Sequence, residues 1–130
     1  MGREVQTILN AKVANGTDNS ILVEDYGNAI LALATASSAN MVIKFYGSTS
    51  EVAPTFTSAQ SVSNMYDTVQ VIDLENGSAI DGDTGITLSG TDDFRMLEMN
   101  TNHLRWVTAI ISSYSAGAAT LTLKSAKLKD

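Results

Sequence analysis

The chain has 130 residues, the length of one domain, and can bury a hydrophobic core without covalent cross-links. It contains no cysteine, which excludes disulfides, thiolate metal sites and a cysteine nucleophile. Its 14 acidic and 8 basic residues give a net charge of −6, whereas electrostatic nucleic-acid binders need a basic surface, so we expect no direct contact with nucleic acid.

The N-terminal segment combines a polar start with a predicted strand. Glu4 lies where a signal peptide needs an apolar run, so we expect the protein to be made and used inside a cell. Apolar and polar residues alternate over 5–13, which predicts a strand, and Asn15 and Gly16 form a strong turn signal. We therefore expect residues 1–19 to form an N-terminal arm or an edge strand. No stretch of the chain is apolar for long enough to cross a membrane, so no membrane partner is expected.

Short apolar runs separated by turn-forming residues continue along the chain, a pattern typical of all-β proteins. After a short strand at 21–25, we predict a hairpin with residues 29–35 and 41–48 as its arms and ASSAN (36–40) as its turn. The alanines and leucines of the first arm would also suit a helix. We prefer a strand because the β-branched and aromatic residues of the second arm need an adjacent partner.

A polar segment of roughly twenty residues follows at 48–67 and contains the single proline, Pro54. Loops of this length usually bind a partner or pack on a neighbour. Phe56 and Tyr66 are its candidate interaction residues, since exposed aromatic rings can stack on sugars. The alternative, that both rings anchor the loop to its own sheet or to a neighbouring subunit, is the one we favour.

The remaining strands are predicted at 68–74, 85–90, 94–100, 104–114 and 119–128, with SAGA (115–118) as a last hairpin turn. Turn signals recur every eight to twelve residues or so, as in β-sandwiches and jelly rolls. The prediction for residues 1–130 is therefore an all-β, single-domain antiparallel β-sandwich, jelly-roll-like, with about eight strands.

Two further features suggest contacts with other proteins. The segment LRWVTAII (104–111) is apolar on both faces, so that it is either central in the fold or covered on its Trp106 face by another subunit. The basic C-terminal tail at 124–130 carries Lys124, Lys127 and Lys129, which would suit an acidic neighbour. A solvated tail is the alternative that we favour for these three lysines.

No catalytic constellation is visible, and we expect neither an enzyme nor a cofactor. The single histidine, His103, follows NTN as a turn residue would, and no nucleophile elbow accompanies it.

The metal candidates are Asp81, Asp83 and Asp92, which match three positions of a calcium-loop template. Ile86 stands where that template needs glycine, so we favour turns around a short strand through Ile86 and expect no metal.

The succession DLENGSAIDGDTGI, TNHLRW and YSAG resembles a family of small virion-associated proteins of tailed bacteriophages and related prophages. The resemblance extends from about Tyr26 to about Leu123. It implies a capsid decoration or cement protein of β-sandwich or jelly-roll fold, which binds the major capsid protein as a homo-oligomer, most commonly a trimer. It also implies a location on the capsid surface of the virion after synthesis in the host cytoplasm. The family carries no short motif, so the resemblance assigns no site residues.

Two other functions stay open at this point. A tail- or fibre-associated β module would bind host carbohydrate or a receptor-binding protein, with Phe56 and Tyr66 as the stacking residues. It would occur in a handful of copies per particle, whereas a cement protein occurs in hundreds. A calcium-stabilised β module centred on Asp81 and Asp83 would instead lose thermal stability when a chelator removes the ion.

Overall fold

The computed structural model describes residues 4–24 and 26–127. Within these ranges the secondary structure consists of strands, and no helix is present that could span a membrane. The strands are β1 (Glu4–Lys12), β2 (Ile21–Leu22), β3 (Tyr26–Ser48), β4 (Asp67–Thr68), β5 (Val71–Asp73), β6 (Ala79–Ile80), β7 (Ile86–Ser89), β8 (Phe94–Asn100) and β9 (Trp106–Lys127).

All nine strands belong to one antiparallel sheet. Its main path is β1-β9-β3-β8-β5-β6, while β2 also pairs with β9, and β4 and β7 pair with β3. The predictions of an all-β class, antiparallel pairing and about eight strands are confirmed. The sandwich or jelly-roll arrangement is not confirmed, because hydrogen bonds join the strands into one continuous sheet.

Strands β3 and β9 form the centre of this sheet and pair along their whole length, from Tyr26 opposite Lys127 to Ser48 opposite Trp106. Both predicted hairpin turns are therefore wrong. ASSAN (36–40) lies inside β3 and SAGA (115–118) lies inside β9. The chain continues through each of these segments instead of reversing.

The turn-forming residues produce a pair of bulges where the two long strands cross these segments. On β3, Ser37 and Ser38 have positive φ angles of 64° and 56°, and on β9 Ser113 and Gly117 have φ angles of 53° and 86°. The register shifts on both sides of Asn40, with the extra residues first on β3 and then on β9. Bulges bend and twist a strand without ending it, which explains why residues typical of turns occur here.

The hydrophobic core lies along one face of β3 and β9. Alternation places Ala29, Leu31 and Leu33 before the bulge, and Met41, Ile43 and Phe45 after it, on the buried side. Residues before and after the bulge belong to one cluster, so both parts of the sheet cover the same core. The main contributions from the other strands are Ile8, Leu9, Val71, Ile86, Leu88, Leu97, Met99, Val107, Ala109, Ile111, Leu121 and Leu123.

Strand β1 lies at one end of the main path, and the residues after it fold back along it. The amide N–H of Asn10 donates to Asp18 Oδ2 at 2.8 Å, and Lys12 Nζ lies 3.1 Å from Asp18 Oδ1. Asn19 donates its backbone N–H to the Ile8 carbonyl at 3.1 Å. In the described part of the N-terminal segment, the chain thus lies against its own sheet and covers a backbone edge that could otherwise pair with another chain.

The contacts of Asp18 predict an acid-dependent contribution to stability. Burial acts to raise the pKa of Asp18, but the Asn10 hydrogen bond and the Lys12 ammonium outweigh it and hold the pKa below its ordinary value. A lowered folded-state pKa stabilises the protein above the unfolded-state pKa of about 3.9, and this contribution is lost as the pH falls through the folded-state value. Asp18→Asn should therefore lower the free energy of unfolding by about 1 kcal/mol at neutral pH in urea titrations.

The pH dependence provides the control for this prediction. The difference between wild type and Asp18→Asn should shrink when unfolding is measured below the unfolded-state pKa. Asp83→Asn is the matched variant, since Asp83 is exposed and lies 3.8 Å from Lys44 Nζ, and it should change stability little at either pH. A difference for Asp18→Asn that stays constant with pH would contradict the assignment.

Candidate interaction surfaces

The long loop between β3 and β4 is anchored to the sheet by three aromatic rings. The ring centroids of Phe56 and Tyr66 lie 5.3 Å apart, and those of Tyr46 on β3 lie 6.4 Å from Phe56 and 5.7 Å from Tyr66. Phe56 is only 4% exposed. The Tyr66 hydroxyl donates to the Ser58 carbonyl at 2.6 Å. Phe56 and Tyr66, the two aromatic residues singled out from the sequence, thus pack against each other. Together with Tyr46 they hold the loop against its own sheet.

Hydrogen bonds fix the rest of the loop. The Asn64 side chain accepts from the Thr55 N–H at 2.8 Å and donates to the carbonyls of Thr55 and Ala59, each at 3.0 Å. Ser48 at the end of β3 donates its hydroxyl to the Met65 carbonyl at 2.6 Å. The loop is therefore an ordered element with a defined surface.

Removal of the Asn64 amide should loosen this loop without unfolding the sheet. In Asn64→Ala, the Thr55 N–H loses its acceptor, and we expect its hydrogen exchange to accelerate by about tenfold, equivalent to about 1.4 kcal/mol. Amides of β3 should keep their protection. Ser63→Ala is the matched control, because the Ser63 side chain is exposed and its one hydrogen bond to the described residues is with the Ser61 hydroxyl, at 3.3 Å. Equal exchange at Thr55 in both variants would show that Asn64 does not hold the loop.

An open depression lies beside the aromatic cluster and is lined by Tyr46, Tyr66, Asn15, Thr57 and Ile110, among others. Burial raises the pKa of Tyr46, and the Asp83 carboxylate and Tyr66 add to the shift, so the Tyr46 hydroxyl stays protonated and can donate a hydrogen bond. Half-buried phenol rings beside an amide could hold a polar ring-shaped ligand such as a sugar.

The doubly apolar segment 104–111 is buried on one face, through Val107, Ala109 and Ile111. On the other face Trp106 and Ile110 are half-buried and Thr108 is fully buried. Ile110 lies in the depression beside the chain's own loop. Trp106 is half-buried where β9 passes between Ser48 of β3 and Leu22 of β2. Its indole N–H is buried and has no hydrogen-bond acceptor among the described residues. On the same face the Thr108 hydroxyl donates to the Asn19 carbonyl at 2.8 Å, so the chain itself covers part of the face for which the sequence left a second subunit as one of two alternatives.

The C-terminal lysines continue strand β9 as far as the structure describes them. Lys124 is exposed and pairs with Val5 of β1 and Ile30 of β3. Lys127 is the last residue of β9, and Lys129 lies outside the described residues. Up to Lys127 the basic segment is therefore part of the sheet and not a separate tail.

The three aspartates proposed as metal candidates serve different turns. Asp81 accepts from the Asp83 N–H at 2.7 Å and Asp83 lies 3.8 Å from Lys44 Nζ, both at the start of β7. Asp92 follows the other end of β7 and accepts from the Ala39 N–H at 3.3 Å. No group of three candidate metal ligands occurs within the described ranges. The predicted turns around a short strand through Ile86 and Leu88 are present, with positive φ at Gly85 and Gly90.

His103 lies in the connection between β8 and β9. Its side chain is exposed and its φ is 68°, a left-handed conformation. The following residue, Leu104, donates its N–H to the Thr101 carbonyl at 3.0 Å, which closes the turn. The structure thus places this residue in a surface turn, as the sequence predicts.

One exposed surface was not predicted. Phe94 and Met96 of β8 are 78% and 56% exposed, and they lie beside Ala34 and Ala32 of β3 on the side of the sheet away from the core. We call this side of β8, β3 and β9 the outer face. The sequence FRMLEMN contains apolar residues on both faces of the strand, which is the feature that could have indicated this surface. Phe94 and Met96 lie on one face, and the buried Leu97 and Met99 lie on the other.

This chain is similar in fold to two proteins of known structure. No protein-family model and no curated protein matches the sequence. The structure is similar to that of the SPBc2 prophage-derived protein YomS, with a TM-score of 0.68 and 9% sequence identity over 94% of this chain and 91% of that one. It is also similar to the PBSX exported protein XepA, with a TM-score of 0.63 and 11% identity over 96% of this chain and 38% of that one. Both neighbours are prophage-derived proteins, and at these identities they establish the fold alone.

Proposed function

We propose that this chain is a structural virion protein that binds the assembled phage capsid lattice as a decoration or cement protein and stabilises the head. The observation that carries the proposal is the fold shared with two prophage-derived proteins over nearly the whole chain. The order of the sequence segments, which resembles that of small virion-associated phage proteins, supports the proposal independently of the fold.

The surfaces of the molecule suit such a role. A cement protein acts through surface complementarity, and many weak contacts repeated over a lattice combine into tight binding. The ordered loop held by Asn64 and the apolar outer face both offer defined surfaces for such contacts. The proposed partners are the major capsid protein and further copies of this chain. The resemblance implies a trimer on the capsid surface.

Particle stability tests this proposal. Particles assembled without the protein should release their DNA at a lower temperature than complete particles, because binding to the assembled lattice favours the intact state by mass action. Added purified protein should bind the depleted particles and restore the release temperature. Depleted particles that are as stable as complete ones, and that do not bind the added protein, would overturn the proposal.

A second candidate is a tail- or fibre-associated module that binds host carbohydrate, and the depression beside Tyr46 and Tyr66 favours it. Phe56 is buried beneath this site, so a ligand would contact the two tyrosines. A glycan array should show binding that is lost in Tyr66→Ala and retained in Tyr66→Phe, which keeps the ring. Absence of any glycan binding by the wild-type protein would remove this candidate.

A further inference from the structure

The outer face consists of three rows of side chains that run across the strands. Residues paired in an antiparallel sheet point to the same side, so the register between strands defines each row. The rows are Phe94, Ala34 and Thr120; Met96, Ala32, Thr122 and Thr7; and Glu98, Ile30, Lys124 and Val5, in the order β8, β3, β9 and, for the last two rows, β1.

Side-chain size varies across this face in a regular way. The large Phe94 and Met96 project from β8 on one side, the alanines of β3 form a low centre, and short threonines occupy β9 on the other side. The alanines of β3 therefore form the floor of a shallow depression between the large side chains of β8 and the threonines of β9. The depression is lined by Ala32, Leu33, Ala34, Phe94, Arg95, Met96, Thr120 and Thr122.

Charge also changes across the outer face, from negative on the β8 side to positive on the β9 side. Glu98 lies on the β8 side and Lys124 on the β9 side, with Ile30 between them. Glu98 Oε2 accepts a hydrogen bond from Asn28 Nδ2 at 2.6 Å. Neither Glu98 nor Lys124 forms an ion pair with another described side chain. Each charge is thus available to an opposite charge from outside the chain.

We propose that the outer face binds the outer face of a second copy of this chain, about a two-fold axis along strand β3. Rotation about that axis places β8 of each copy over β9 of the other and keeps every row aligned with itself. Phe94 then packs on the partner's Thr120, Met96 packs on the partner's Thr122, and Glu98 meets the partner's Lys124. The same patch serves both copies, as in isologous dimers.

The size of the face indicates a weak association. The rows span four strands, β8, β3, β9 and β1, at a spacing of about 4.8 Å, and a length of about 20 Å along each strand gives about 400 Å² per copy. A pair of such faces buries about 800 Å², which is smaller than a standard specific interface and is typical of weak, transient contacts. We therefore expect dissociation constants in the micromolar range. This contact goes beyond the proposed function, since it holds whether the protein occupies the head or the tail.

Charge exchange tests the pairing directly by sedimentation equilibrium. Wild type should show a mass that rises with concentration towards even multiples of the chain. Glu98→Lys and Lys124→Glu should each weaken self-association by about tenfold or more, because each places like charges in contact twice per dimer. An equimolar mixture of the two variants should associate, since every contact then joins opposite charges. The double variant, which exchanges both charges, should also recover self-association.

An apolar variant and its control complete the test. Phe94→Ser should weaken association by about tenfold or more, whereas Val62→Ser, at an equally apolar loop residue that is 94% exposed, should not. Thermal unfolding at low concentration confirms that each variant is folded. A concentration-independent mass for wild type, a trimer without even multiples, or no association in the charge-variant mixture would overturn the proposal. Loss of capsid binding with intact pairing would count against the proposed function alone.

Discussion

Gly117→Ala is expected to lower the free energy of unfolding by about 3 kcal/mol or more, measured by urea unfolding. Gly117 lies in the β9 bulge with a φ of 86°, a conformation that disfavours any residue with a Cβ atom. A Cβ at this position would lie 2.4 Å from Ala39 Cα and 2.8 Å from the Ala36 carbonyl oxygen. The clash is with backbone, so relief requires the two central strands to move apart.

Gly90→Ala is the control that measures the cost of the positive φ angle without a steric clash. Gly90 has a similar φ of 80°, but a Cβ there would meet no atom within 4 Å. We expect this variant to lose only about 1 kcal/mol. Equal losses at the two positions would show that the close approach of β3 and β9 at Gly117 contributes nothing, and would contradict the account of the bulges.

Phe45→Ala is expected to cost about 4 kcal/mol, the second large effect. Phe45 is fully buried and belongs to the single core cluster that both parts of the sheet cover. Its backbone N–H donates to the Gly82 carbonyl at 3.1 Å and its carbonyl accepts from the Val69 N–H at 2.9 Å, so the surrounding chain cannot easily collapse into the cavity. The resulting cavity should therefore persist, which makes the cost high.

Phe94→Ala is the matched control for Phe45→Ala. The same side-chain atoms are removed, but Phe94 is 78% exposed in the single chain. Urea unfolding at concentrations too low for self-association should show a change within about 0.5 kcal/mol. A large loss for Phe94→Ala under these conditions would mean that the outer face is covered by the chain itself, and would contradict its proposed role in pairing.

Much of the strand content follows from alternation along the sequence. Residues 94–100 were predicted as a strand and form β8 with the same bounds, and the strand predicted at 85–90 appears as β7 at Ile86–Ser89. In these segments the buried set of residues is apolar, and turn-forming residues flank β7 closely. Local sequence is therefore sufficient to define these strands.

The two long strands could not be predicted in this way. ASSAN and SAGA contain the small and polar residues that form hairpin turns, but such residues also form bulges. The difference depends on whether β3 finds β9 as a partner on both sides of the bulge, and β9 lies far away in sequence. The strand predicted at 119–128 already includes Lys124, but its partner, Val5 of β1, lies far away in sequence and could not be predicted.

The candidate surfaces were predictable only in part. The long loop and its two aromatic residues follow from the sequence, whereas their packing on Tyr46 depends on which face of β3 that residue occupies. The outer face was missed because FRMLEMN, taken by itself, gives no indication which of its two apolar sides is buried. Only pairing with β3 shows that Leu97 faces the core and that Met96 does not.

Copy number and position in purified particles test the central claim most directly. Cryo-electron microscopy with quantitative mass spectrometry of particles from the genome that encodes this chain would measure both. The account predicts hundreds of copies bound at regular positions on the outer surface of the head. Absence of the protein from the shell, or only a handful of copies at the tail, would contradict it.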